Sequence, residues 1–315
     1  MKHPTEPHVS NPLVGIGLKI ASVAVFVGMS TCIKAAGDVP PGQIVFFRSF
    51  FAIFPIIAFL AFSGELRTAF HTRNPFGHIA RGLVGVASMG FGFFALTRLP
   101  LPEAITLNYA QPLLVVVFSA IFLGEHIRLY RWTAVAVGLI GVIIVSLPKL
   151  TLLGSGETMG NRELMGVLAA FAAASMSAVA MLLVRKLVHT EKTSTIVLWF
   201  SLTASAMALL SIPFGWSPIT ASQATLLVLS GFCGGVAQVF MTEAYRHAEA
   251  STVAPFEYTS IILALIVGYA VFGDHPTLHI LVGGAVVIGA GIFIVWRERQ
   301  LGIERRAART AAAPE

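Results

Sequence analysis

Few charged side chains interrupt the apolar stretches of this chain, and those few define its candidate chemistry. Lys19 and Glu257 each stand about seven residues inside a long apolar run, which at ~1.5 Å per residue puts both about 10 Å below the same membrane face. A cation and a carboxylate at one depth either pair or face a shared cavity, because an isolated charge in hydrocarbon costs at least ~2.5 kcal/mol. Arg48 and Asn108 enter to a similar depth from the opposite face. Asn108, Tyr109 and Gln111 have a counterpart set in Glu257, Tyr258 and Thr259. Amides, hydroxyls and one carboxylate can orient a small solute, and tyrosine rings add stacking faces with a polar tip. Hydrogen bonding between helices would use the same groups, so both readings stand. Glu257 is also the candidate coupling group, since a carboxyl can carry and release a proton.

Bond-making chemistry is not expected. It would need clustered acids, a His/acid pair or metal ligands, whereas the other embedded acids are Glu243 and Glu103. Cys32 and Cys233 lie in apolar runs without zinc-type spacing and read as small packing residues. The phosphate-binding pattern GxxxxGK[ST] is absent, so ATP driving within the chain is excluded. No metal and no cofactor is expected. Arg81 and His78 stand near a helix end, where snorkelling suffices to explain them. Gln238 and Trp199 read as packing residues. Pro55, Pro112 and Pro255 each remove an amide donor inside a span, for a bend near a cavity or for packing.

The elements that must hold these residues follow from composition. A chain of 315 residues that is 56% hydrophobic and 11% charged, with mean hydropathy +0.82, has too little polar surface for a soluble globule. Ten runs are long enough to span hydrocarbon, around 13–35, 42–62, 76–97, 102–123, 130–147, 162–184, 194–212, 222–243, 251–272 and 278–296. The fold class is therefore an all-α polytopic membrane protein with ten transmembrane helices. If both termini face the cytoplasm, 14 of the 21 basic residues fall on inner segments. Four fall outside (Lys34, Arg98, Lys149 and Arg162) and three (Lys19, Arg48 and Arg81) inside helices. That asymmetry favours this orientation. The basic tail then meets anionic headgroups rather than nucleic acid. The first span, which carries Lys19 and lacks a small-residue cleavage site, reads as retained.

The chain is duplicated. Ala95, Tyr109, Leu114, Gly124, His126 and Leu129 recur 149 places later as Ala244, Tyr258, Leu263, Gly273, His275 and Leu278. Lys34 aligns with Arg185 at a spacing of 151. Five spans make one unit, and because five is odd the second copy enters the membrane upside down. The expected organisation is a tail at 1–12, a first repeat at 13–147, a linker at 148–161, a second repeat at 162–296 and a basic tail at 297–315. The acidic turns at Glu125 and Asp274 suit helix capping or a gate contact. The repeats differ where Asn108 is matched by Glu257 and Lys19 by Ala170.

The turns Phe122-Leu123-Gly124-Glu125 and Phe272-Gly273-Asp274-His275-Pro276, set in this ten-span repeat, resemble the EamA family of the drug/metabolite transporter superfamily. The resemblance covers nearly the whole chain and implies a carrier of the bacterial inner membrane with a central cavity built from both halves. Leu18-Lys19, Pro40-Pro41-Gly42-Gln43, Val45-Phe46-Phe47-Arg48-Ser49 and Ala254-Pro255-Phe256-Glu257-Tyr258-Thr259 look like the branch containing bacterial riboflavin importers. The function implied is secondary transport of a small metabolite by alternating access, riboflavin import being the first substrate reading and export of amino acids the alternative. A lipid-modifying enzyme and a non-transporting receptor subunit are the other classes. Lys19, Arg48, Asn108, Tyr109, Gln111, Glu257 and Tyr258 are the expected substrate-binding residues. The partners expected are that solute and the lipid bilayer, with homodimerisation left open.

Overall fold

The computed structural model describes residues 12–124, 129–151, 158–188, 190–248 and 253–311. Among these there is no strand. The helices that matter are α1 (Pro12–Ala35), α2 (Pro41–Phe62), α3 (Pro75–Leu96), α4 (Leu101–Asn108 and Ala110–Leu123), α5 (Leu129–Thr151), α6 (Thr158–Leu187), α7 (Thr193–Leu209), α8 (Ala221–His247), α9 (Ala254–Tyr258, Thr259–Val267 and Gly268–Phe272) and α10 (Leu278–Ala311). Eight are long and apolar enough to cross a membrane. Two shorter apolar helices, Thr193–Leu209 and Phe256–Phe272, stand where the sequence predicts a seventh and a ninth span.

Local chemistry sets the boundaries. Proline occupies the first turn of α2 and of α3, where its missing amide hydrogen has no helical partner anyway. Asn74 caps α3 by accepting from the Gly77 amide at 2.9 Å, and Thr220 with Gln223 closes a reciprocal capping box on α8. Gly124 and Gly273 end α4 and α9 at φ 62° and 68°, the left-handed stop that glycine adopts without a Cβ penalty. The repeated glycine is thus one terminator used twice. α10 runs on through the basic segment to Ala311, past the predicted end of its span, because Arg, Glu, Gln and Ala sustain a helix outside the apolar region.

Both α4 and α9 are broken, and at equivalent places. α4 breaks at Tyr109, three residues before Pro112, whose missing amide cannot bond back to the preceding turn. α9 opens as a 3₁₀ turn from Ala254 to Tyr258 and ends in a π turn at Gly268–Phe272. Pro55, by contrast, leaves α2 continuous. A Cβ at Gly235 would stand 2.4 Å from the Pro55 Cγ, so this proline is a packing knob against α8.

The tightest helix pairs obey an exchange of halves. α1 packs along α8 as α6 packs along α3, α2 meets α8 as α7 meets α3, and α5 lies against α10. Gly141 and Gly283 face one another in that last pair, each within 3.0 Å of the partner carbonyl once a Cβ is added. Small residues let backbones approach where lipid supplies no hydrophobic drive between helices.

Candidate functional site

Lys19 lies on the α1 stripe that faces α8 and is completely buried. Gly15, one turn earlier, has no room for a side chain against Ala248 and the Ala244 carbonyl, and Ser22, one turn later, donates to the Ala237 carbonyl at 2.8 Å. Close packing on both sides aims the ammonium at a small set of neighbours. Its Nζ is 3.4 Å from Glu257 Oε2, 3.6 Å from Met241 Sδ and 5.5 Å from the centre of the Tyr245 ring. The Glu257 side chain remains 50% exposed. One partner of the pair is sealed in the bundle while the other opens outward, which leaves carboxylate capacity for a solute or a proton.

The break in α4 delivers Tyr109 to the same place. Its hydroxyl donates to the Glu257 carbonyl at 2.6 Å and lies 2.6 Å from Ser260 Oγ. Its ring is 4.9 Å from that of Tyr258, inclined by 34°. Tyr258 in turn presses on α10 at Gly291, where an added Cβ would overlap the phenol oxygen. The contacts of Tyr109 with Glu257, Ser260 and Tyr258 join one half of the chain to the other, whereas that of Tyr258 with Gly291 lies within the second half.

The remaining expected residues sit differently. Asn108 is exposed and Gln111 half-buried, flanking the break without a hydrogen bond to the cluster. Arg48 belongs to a second group, where it is 6% exposed and points Nη1 at Met89 Sδ on α3, 3.9 Å away. Arg81 and His78 do not snorkel. His78 is 1% exposed and stacks on Trp199 at 5.6 Å, and the Arg81 guanidinium lies 3.4 Å over the Phe200 ring. Composition cannot distinguish an arginine reaching for the membrane surface from one folded inward, and the aromatic pair on α7 supplies the inward platform. A separate cavity of about 650 Å³ is lined by apolar residues including Phe91, Phe94, Met165 and Leu168. It holds no group that could orient a polar solute.

Polar latches stand at both ends of the bundle. Asp274 lies 3.7 Å from Lys34 Nζ and accepts from the Leu101 amide at 3.0 Å, so it caps the first turn of α4 from the opposite repeat, and Lys34 also donates to the Leu99 carbonyl at 2.7 Å. Its sequence counterpart Glu125 lies outside the described residues. At the other end Glu191 accepts from the Thr72 hydroxyl and the Arg73 and Asn74 amides at 2.7, 2.7 and 2.9 Å. Burial pushes its carboxyl up, but those hydrogen bonds and nearby His78 together hold it below its ordinary value. Glu191 carries no motif. Only the fold reveals that it ties the α2–α3 loop to the α6–α7 loop.

An all-helical bundle with eight helices long and apolar enough to cross a membrane, and a polar cluster shared by two internal repeats, defines a multi-pass membrane protein. The chain belongs to the EamA-like transporter family, whose model matches twice, over residues 13–147 and 164–297. It is similar to the S-adenosylmethionine uptake transporter of Rickettsia felis, at 26% identity over 82% of this chain and 84% of that one. It is also similar to the riboflavin transporter of Rhizobium johnstonii, 27% identical over 82% of each chain, and to the Pseudopaline exporter CntI of Pseudomonas aeruginosa, 29% identical over 88% and 94%. A solved structure titled "Crystal structure of protein" shares the fold, with a TM-score of 0.63 at 22% identity over 91% of this chain and 98% of the other.

Proposed function

We propose that the chain is a secondary carrier of the bacterial inner membrane. Ten spans form two inverted five-helix repeats with both termini cytoplasmic, and a small metabolite crosses by rocking of one half against the other. The observation that carries this reading is the Lys19–Glu257–Tyr109–Tyr258 cluster, in which every contact joins the two repeats. Groups arranged that way exchange partners when the halves tilt, so solute binding there biases the tilt. Glu257, half-open beside a buried cation, is the group we assign to coupling.

Riboflavin import is the specific substrate reading. The paired tyrosine rings suit a planar solute, and two relatives carry the name riboflavin transporter. Amino-acid export is the alternative: export as a direction is carried by the relatives named pseudopaline exporter, whereas those named for S-adenosylmethionine are uptake transporters. The test is expression in a bacterium that cannot make riboflavin, grown on trace external vitamin, alongside solute flux in proteoliposomes. Growth rescue above a vector control supports riboflavin import, and failure with confirmed membrane insertion removes that substrate. Absence of flux for any solute in the liposomes removes the carrier reading itself.

A further inference from the structure

Two guanidiniums are buried in the first repeat without an anion to meet them. The only hydrogen-bond acceptor for Arg48 among the described residues is the soft sulfur of Met89, and its Nε has none. Arg81 rests on Phe200 and leaves Nε and Nη1 buried without acceptors. Trp199, beside Phe200 on α7, adds a third buried donor, Nε1, in the same condition. Neither arginine has a carboxylate within ion-pair distance among the described residues. The carboxylate in that region is Glu191, which pairs with His78 one turn before Arg81 and whose Oε1 is already taken by Thr72, Arg73 and Asn74.

The unmet groups on these two arginines and the tryptophan are all donors, since neither guanidinium nor indole can accept. A buried donor excess in a low-dielectric interior is strongly unfavourable unless an acceptor arrives. Gly234 on α8 lets the Arg48 guanidinium lie against the helix backbone, since an added Cβ would come within 3.1 Å of Met29 Sδ and 3.3 Å of Arg48 Nε. Arg81 and Met89, the residue that Arg48 touches, are eight positions apart on α3, about 12 Å along the helix. A separation of that size is within the reach of two long side chains and of one small metabolite. We propose that Arg48 and Arg81 bind an acidic group of the transported solute, so that of the two substrate readings above the carboxylate-bearing one, amino acids and related metabolites, is favoured over riboflavin. The planar fork of a guanidinium matches a carboxylate in two parallel hydrogen bonds. This assignment rests on the carrier reading above.

The full chain in detergent is screened by thermal unfolding against the twenty standard L-amino acids, S-adenosylmethionine and riboflavin, and each binder is measured again as its carboxamide. A carboxylate should raise the unfolding temperature by several degrees and its carboxamide should bind at least tenfold more weakly. R48M and R81M should abolish the shift while the empty variants unfold at the wild-type temperature or above, because no ion pair is broken. R48K should bind, but more weakly than wild type. Three results would overturn the site: no carboxylate shifts the wild type, the carboxamide binds as well as the acid, or riboflavin binds wild type and both variants alike. Flux measured in parallel separates the two ideas. Transport that survives R48M and R81M removes the arginine site and leaves a carrier, whereas no transport of any solute removes the carrier.

Discussion

Tyr109 and Tyr258 occupy matching places 149 positions apart in the two repeats, and the fold brings their rings to 4.9 Å. Each lies where its helix departs from regular α geometry, so the phenols leave their own helices to meet between the halves. The pair is not symmetric in its bonds: Tyr109 donates to the Glu257 carbonyl, while Tyr258 packs on Gly291.

That packing yields a first prediction. Gly291→Ala places a methyl group inside the Tyr258 phenol and forces the ring aside, at a cost of about 1–3 kcal/mol for overpacking. Transport should fall to the level of Tyr258→Ala, whereas an alanine at Gly289, which has open space, should leave flux unchanged. Solute uptake by the three variants, normalised to inserted protein, checks this.

The Lys19–Glu257 pair predicts an asymmetric double-mutant cycle. Glu257→Gln leaves a fully buried ammonium beside a neutral amide, whereas Lys19→Met leaves a half-open carboxylate that water can reach. Breaking a fully buried pair costs about 3–5 kcal/mol. The exposure of Glu257 lowers that figure for Lys19→Met and leaves Glu257→Gln the more damaging of the two. Lys19→Met/Glu257→Gln should recover stability toward wild type, measured by unfolding in detergent, with transport still lost.

Asp274 should act as the latch between α1, α4 and α9. Asp274→Ala removes the Lys34 partner and the cap on the Leu101 amide together. A charge-assisted hydrogen bond is worth about 1.5–3 kcal/mol, so the open population should rise by roughly tenfold or more. In a Cys233→Ser background, alkylation of the half-buried Cys32 should accelerate by a similar factor. An unchanged alkylation rate would show that this end opens without breaking the latch.

Glu191 sets a pH dependence at the other end. Its folded carboxyl is held below its ordinary value by Thr72, Arg73, Asn74 and His78 against the opposing effect of burial. Stability from the ionised form is therefore fully present above the unfolded carboxylate value of about 4.3 and drains away as pH falls through the lower folded value. Unfolding temperatures of wild type and Glu191→Gln should converge as acid is added over that window and diverge toward neutral pH.

Much of the architecture was legible because lipid leaves little freedom. Apolar length marks the long helices, and the stop signals at Gly124 and Gly273 carry the repeat through to matching left-handed glycines. The pairing of Lys19 with Glu257 follows a depth argument available from spacing. The inward fold of Arg81 and His78 was not legible, since the signal is an aromatic platform more than 110 positions away at Trp199 and Phe200. Glu191 was silent for the same reason: its partners Thr72, Arg73 and Asn74 are 117 to 119 positions distant.

By itself the sequence determined that this chain lives in a membrane, that it is built twice and that its intramembrane charges are few. Hydropathy, periodicity and internal identity are properties read along the chain. Which charges meet was decided only in three dimensions, because helix packing depends on where small residues allow backbones to close and where prolines break the ladder. Lys19 was drawn to Glu257, and Arg48 and Arg81 were turned onto Met89 and Phe200, by that packing. The first pair is neutralised within the protein, and the second is left with donors unmet.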